Sequence, residues 1–211
     1  MIEEMKRKQI IALVKREVVP AIGCTEPIAV ALCVAKATET LGCTPERINV
    51  FLSGNMLKNA MGVGIPGTGM SGLPIAIALG ALIGKSEYQL EVLRDVCPEA
   101  VENGKRFIAE NRINVSLKDG ECDKLYIEVI VEAGKDSATS IIAGGHTHFI
   151  LIKKNDDVAF SAEAASKDDA TESCEELTLR QVYEFATTAP FCEIEFINES
   201  RRLNEEASRK A

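Results

Sequence analysis

The fold class is decided by residues 124–161, which read KLYIEVIVEAGKDSATSIIAGGHTHFILIKKNDDVAFS. β-rich runs follow one another here, separated by the turn signals Gly134-Lys135-Asp136 and Asn155-Asp156. Together with the run before them, they predict antiparallel strands at 113–118, 124–133, 138–143, 147–153 and 157–161. Consecutive strands argue against a doubly wound sheet, in which strands and helices alternate.

Helical patterns lie on both sides of these strands. Apolar residues recur at helical spacing upstream and downstream, which predicts helices at 5–19, 28–41, 178–188 and 190–208, with two more beginning at Ser86 and Pro98. Residues 48–52 predict one further strand. The order predicts an α+β fold, in which N-terminal helices and a glycine-rich segment pack with an antiparallel β-sheet and C-terminal helices follow.

The domain organisation follows from composition along the chain. Residues 1–165 form the predicted α+β domain, which includes the glycine-rich segment 53–84. Residues 166–176 are polar and acidic, which is typical of a linker. Residues 177–211 are predicted as C-terminal helices of the same domain.

Charge and hydropathy restrict the class of partner. The 211 residues carry a formal net charge of −8, which disfavours a nucleic-acid-binding surface. The most apolar run, Leu73–Ile83, is too short to span a membrane. The seven cysteines contain no C-x-x-C pair, which suits a reducing compartment. We therefore expect a cytoplasmic protein whose partners are small molecules, with no nucleic acid and no membrane.

The glycine-rich segment is the first candidate site. Two G-x-G-x-x-G matches begin at Gly62 and Gly67, but neither follows a strand directly, so dinucleotide binding is not predicted. Closely spaced glycines let the backbone approach a small anion at the helix beginning near Leu73. The alternative is that they allow tight helix packing. Polar side chains for ligand contacts are Ser53, Asn55, Lys58, Asn59 and Thr68.

Cys24 is the strongest single candidate for a functional residue. It precedes a predicted helix that carries Glu26 in its first turn, where the dipole favours a thiolate that acts as nucleophile or soft metal ligand. The alternatives are an inert core cysteine and a Glu26 that is only a first-turn residue. His146 and His148 are the two histidines, and on a strand from 147 they would share one face and suit a metal. An ordinary histidine pair is the alternative, and His146 is also a candidate acid or base.

Three motifs carry a family resemblance: GCTEP at 23–27, SGNMLKNAMGVGIPGTGMSGLPIAIALGAL at 53–82 and GGHT at 144–147. In this order they resemble the bacterial and archaeal L-cysteine desulfidase family, which is related to the alpha part of iron–sulfur L-serine dehydratases. The resemblance implies a lyase of cysteine catabolism that eliminates sulfide from L-cysteine and yields pyruvate and ammonia.

The resemblance also implies a 4Fe-4S cluster held by three cysteines. Cys24 maps onto the first, and the other two belong to a C-terminal half that this chain lacks, encoded in the same reading frame or as a partner subunit. The chain alone is therefore expected to be inactive and to self-associate through exposed apolar surface.

Site residues are assigned on this basis. Cys24 is the metal ligand, and His146 and Lys58 are the catalytic residues. Contacts to the amino-acid substrate are expected from Ser53, Asn55, Asn59, Gly67, Thr68 and Gly69, in one cleft with Cys24. The alternatives are an iron–sulfur L-serine dehydratase-like deaminase and a non-catalytic small-molecule-binding module.

Overall fold

The structure, a computed structural model, describes residues 3–162 and 177–210. Its helices are α1 Glu4–Glu17, α2 Thr25–Leu41, α3 Gly54–Ala60, α4 Leu73–Leu82, α5 Pro98–Ala109, α6 Leu179–Thr188, α7 Phe191–Ile194 and α8 Ile197–Lys210. Its strands are β1 Arg47–Leu52, β2 Gly64–Ile65, β3 Met70–Ser71, β4 Ile113–Leu117, β5 Tyr126–Ala133, β6 Asp136–Ala143, β7 Phe149–Lys154 and β8 Asp157–Ser161. The predicted α+β fold is confirmed.

The main sheet has the strand order β4-β1-β5-β6-β7-β8. From β1 through β8 all neighbours in this order are antiparallel, as predicted. The prediction of a fully antiparallel sheet is wrong at one edge, where β4 runs parallel to β1 with Val115 opposite Val50. The chain reaches β4 from β1 through α3, α4 and α5, and such a long crossover is what a parallel pair requires.

The core lies between one face of this sheet and α2 with α4. Residues 27–35 of α2 are all buried, so this helix is apolar on every side. Facing it, β1 and β5 each bury alternate residues: Ile48, Val50, Leu52, Ile127, Val129 and Val131. Burying one such side chain contributes about 1.5–3 kcal/mol, so this layer supplies much of the stability that holds the N-terminus of α2 in place.

The described chain divides into two units. One comprises the described residues of Ala21–Ala164, and the other combines α1 with α6, α7 and α8. In this second unit Arg7 forms an ion pair with Glu193, with Nε and Oε2 2.6 Å apart. The division by sequence kept α1 with residues 1–165, whereas the structure groups it with the C-terminal helices. The predicted linker 166–176, with Cys174, lies outside the described residues.

Two helix predictions need correction. Residues Ser86–Glu91 form a short 3₁₀ segment with Gln89 at φ 51°, in place of the α-helix predicted to begin at Ser86. Ser86 donates from its backbone N–H to Glu39 Oε1 at 2.7 Å, and from its hydroxyl to Oε2. The single helix expected at 190–208 is divided into α7 and α8.

No helix in the described part of the chain combines the length and apolar character that crossing a bilayer requires.

Candidate functional site

Cys24 lies at the N-terminus of α2, as its N-cap residue, and Glu26 lies in the first turn. The Cys24 thiol donates a hydrogen bond to Glu26 Oε2, with sulfur and oxygen 3.0 Å apart. The hydroxyl of Thr25 donates to the same oxygen at 3.3 Å. An acidic residue is stabilised in this turn by the helix dipole, so the GCTEP motif folds into a compact thiol–carboxylate unit.

The acid–base state of Cys24 differs from the expectation. The hydrogen bond to Glu26 is the main cause that raises the pKa of the thiol, and burial raises it further. The same hydrogen bond lowers the pKa of Glu26, and the charge of His146 lowers it further. The expected stabilisation of a thiolate by the helix dipole is therefore wrong here, because the nearby carboxylate outweighs the dipole.

The Glu26 carboxylate joins the three sequence motifs. Its Oε1 accepts a hydrogen bond from Asn59 Nδ2 of α3 at 3.3 Å. His146, in the turn between β6 and β7, acts on it electrostatically. The glycine-rich segment approaches from another side, because a Cβ atom on Gly23 would lie 2.9 Å from Pro66 Cγ. The structure thus brings GCTEP, the glycine-rich segment and GGHT together, with Glu26 rather than Cys24 at the junction.

Helix α3 presents three of the predicted residues on its exposed side, Asn55, Lys58 and Asn59. Asn59 contacts Glu26, whereas no hydrogen bond or ion pair is made by Asn55 or Lys58 within the described residues. Ser53 has a different place, because it is the buried N-cap of α3. Its hydroxyl accepts from the Met56 N–H at 3.3 Å and donates to the Lys124 carbonyl at 2.6 Å. The hydroxyl of Ser53 is therefore already engaged in the fold.

The glycine-rich segment forms a small hairpin from β2 and β3, which the sequence analysis did not predict. Gly67 and Gly69 take φ angles of 76° and 64° in its turn, a region that favours glycine. Between them, the hydroxyl of Thr68 donates to the Ile65 carbonyl at 2.6 Å and accepts from the Met70 N–H at 2.9 Å. Thr68 thus closes the turn with its own side chain.

We expect the Thr68→Val variant to be less stable by about 1–2 kcal/mol, because a near-isosteric side chain removes the acceptor of the Met70 N–H and one of the two donors to the Ile65 carbonyl. Urea unfolding of the full chain measures this difference. Thr147→Val, at an exposed threonine, is the control and should lie within about 0.5 kcal/mol of the native chain. Equal stability of the two variants would contradict a structural role for Thr68.

The two histidines have different surroundings. β7 begins at Phe149, so His146 and His148 lie in the preceding turn and the expected common strand face is not formed. His148 donates from Nδ1 to the Ala143 carbonyl at 2.9 Å, which leaves only His146 beside Glu26. Within residues 3–162 and 177–210, no group of three or more His, Cys, Asp or Glu residues could hold a metal ion.

A second polar cluster was missed by the sequence analysis because it joins residues from two strand ends. Glu128 accepts hydrogen bonds from the Lys118 ammonium and, at 3.0 Å, from the Tyr126 hydroxyl. Lys118 and Tyr126 also line an open cleft of about 440 Å³, together with Cys122 and Asp123. Burial, and then the hydrogen bond to Glu128, raises the pKa of Tyr126 to about 12.

This pKa predicts a late tyrosine titration. The folded state favours the neutral phenol, so the contribution of Tyr126 to stability is complete below pH 10 and is lost as the pH rises towards 12. Ultraviolet absorbance of the phenolate should show a step near pH 12 that disappears in Tyr126→Phe. Tyr183→Phe, at an exposed tyrosine, should leave that step in place. A late step that survives Tyr126→Phe would refute the assignment.

The fold and this geometry define an α+β protein with a thiol–carboxylate site at the N-terminus of a buried helix. The chain is similar to a UPF0597 protein of Bacteroides fragilis, at 64% identity over 99% of this chain and 49% of that protein. A UPF0597 protein of Porphyromonas gingivalis is 49% identical over 96% of this chain and 48% of its own length. A UPF0597 protein of Oleidesulfovibrio alaskensis is 46% identical over 92% of this chain and 46% of its own length.

The chain therefore spans about half the length of the curated relatives it matches. No protein-family model matches the chain. No solved structure matches it.

Proposed function

We propose that this chain is the N-terminal portion of an iron–sulfur L-cysteine desulfidase. The observation that carries the proposal is the half-buried Cys24 thiol, held 3.0 Å from the Glu26 carboxylate where the three motifs meet. Such a position suits a metal ligand, because the sulfur is held in place at the start of a buried helix, and a cysteine gives up its thiol proton when it binds a metal. The cytoplasm is the proposed location, supported by free cysteines that persist in a reducing compartment.

The described residues of this chain could supply one of the ligands that a 4Fe-4S cluster needs. A 4Fe-4S cluster is held by several cysteine thiolates, whereas the thiol–carboxylate site offers one thiol, Cys24. The remaining ligands would come from a second segment, on the same polypeptide or on a partner subunit. When bound, an iron of the cluster would supply a Lewis acid that polarises the substrate.

The side chains of this chain would bind the substrate and move protons. Asn55 and Asn59 on α3 and the backbone around Gly67 and Gly69 would contact the amino-acid substrate. His146 or Lys58 would remove the α-proton of L-cysteine while the bond between carbon and sulfur breaks and sulfide leaves. The resulting aminoacrylate would react with water and give pyruvate and ammonia. Ser53 and Thr68 are left out of this set, because their hydroxyls are engaged within the fold.

The test is an anaerobic assay of the complete assembly, that is, this chain expressed with the remainder of its gene. Iron and sulfide are reconstituted, and release of sulfide and pyruvate from L-cysteine is followed beside pyruvate release from L-serine. We expect turnover of L-cysteine by the assembly and none by the 211-residue chain alone. Turnover of L-serine without L-cysteine would indicate the deaminase alternative. A folded assembly that binds no iron and forms no product would overturn the proposal.

A non-catalytic amino-acid-binding module is the second candidate. It is favoured by one observation, the raised pKa of the Cys24 thiol beside Glu26, which disfavours the thiolate that a metal ligand requires. This candidate predicts binding of L-cysteine or L-serine by the folded assembly without iron, measured by isothermal titration calorimetry. Binding that depends on iron would argue against it.

A further inference from the structure

Glu26 is held at both carboxylate oxygens. Oε2 accepts hydrogen bonds from Cys24 and Thr25, and Oε1 accepts one from Asn59, which comes from a different helix. A free glutamate side chain samples several rotamers, and contacts on both oxygens select one of them. The direction of the Cys24 thiol is therefore tied to α3 through the carboxylate.

The same local sequence elsewhere in the chain does not produce this contact. Cys97 is the N-cap of α5 and Glu99 lies two residues later, at the spacing of Cys24 and Glu26. Both are exposed, and no hydrogen bond joins them in the described part of the chain. The spacing alone is thus not sufficient. The pair at α2 differs in having Asn59 on the far oxygen of its carboxylate.

We propose that Glu26 is the positioning residue for Cys24, and that Asn59 holds Glu26 in the orientation this requires. The inference rests on the proposed function in treating Cys24 as the metal ligand, but the contact network exists in the chain without a metal. Glu26 orients the thiol by accepting its hydrogen bond. In addition to the substrate contact proposed above, Asn59 acts on Cys24 through Glu26.

The test is alkylation of the full 211-residue chain by iodoacetamide at neutral pH, measured by mass spectrometry of the peptides that contain Cys24 and Cys97. The hydrogen bond from the thiol to the carboxylate must break before the sulfur can attack the reagent, so a thiol held in this way reacts slowly. We expect Glu26→Gln to speed labelling of Cys24 about tenfold relative to Cys97, the scale of one hydrogen bond to a charged group. Asn59→Ala should give a smaller increase in the same direction.

The matched control is Glu99→Gln, which makes the same substitution at α5 and should change labelling of neither cysteine. Asn59→Gln retains an amide donor and should restore slow labelling of Cys24, which a purely structural role of Asn59 would not predict. Circular dichroism confirms that each variant is folded. A ratio of Cys24 to Cys97 labelling that is the same in all folded variants would overturn the proposal.

This outcome is separable from that of the proposed function. If the complete assembly forms no product and binds no iron, a changed ratio in Glu26→Gln and Asn59→Ala still supports positioning of Cys24. If the assembly is active but the ratio is unchanged, the positioning role fails and the lyase proposal stands.

Discussion

Replacing Cys24 with alanine is expected to lower sulfide release from L-cysteine by the complete assembly by about a thousandfold or more. The thiol is the one ligand that this site offers to a cluster, and a Lewis-acidic metal contributes several kcal/mol of transition-state stabilisation. Bound iron per chain should fall as well, because a ligand has been removed. Product formation and iron content, both measured anaerobically, test the two effects separately.

Two other cysteines provide matched controls for this variant. Cys43 and Cys97 are exposed, and neither is joined to a carboxylate by a hydrogen bond among the described residues. Cys43→Ala and Cys97→Ala should therefore retain iron and turnover. If Cys24→Ala retained both as well, Cys24 would not be a ligand, and the helix N-terminus of α2 would lose its proposed function.

The fold was largely predictable because its signals are local. Turn residues such as Gly134 and Asn155 mark where the chain reverses, and hairpin partners follow one another, so β5 through β8 were placed close to their observed positions. The parallel pairing of β1 with β4 joins strands separated by three helices. Nothing local to either strand specifies its neighbour across such a distance, because the packing of α4 and α5 decides it.

The candidate site was predictable only in part. The three motifs were recognised, but the junction at Glu26 was not, because its partner Asn59 is 33 residues away and lies on a helix that the sequence analysis did not predict. The raised pKa of Cys24 has the same origin, since the helix dipole is visible in the sequence and the orientation of a carboxylate is not. Ser53 and Thr68 show the converse error. Their hydroxyls bond to nearby or turn backbone, a frequent use of Ser and Thr that looks like a ligand contact in sequence.

The second large effect is expected on stability, from replacing a glycine at the contact of α2 and α4. We expect Gly80→Ala to reduce the free energy of unfolding by about 2–3 kcal/mol. A Cβ atom at Gly80 would lie 2.6 Å from the Ala31 carbonyl oxygen and 3.1 Å from its Cα, and a helix backbone cannot move aside locally. Because alanine is the better helix former by about 1 kcal/mol, a loss of stability here can only come from this contact. Urea unfolding measures it.

Two other glycines turn this expectation into a graded series. At Gly104 of α5 an added Cβ would meet Ile75 Cδ1 at 3.0 Å, the end of a side chain that can rotate, so the clash and the gain in helix propensity should nearly cancel. At exposed Gly62 nothing lies within 4 Å, and Gly62→Ala should be neutral or slightly stabilising. A loss of stability that is largest for Gly80→Ala, smaller for Gly104→Ala and smallest for Gly62→Ala would show that close helix packing accounts for the glycines of α4 and α5. Equal effects at Gly80 and Gly62 would mean that α2 and α4 can separate at little cost, and the N-terminus of α2 that carries Cys24 would then lack a rigid support.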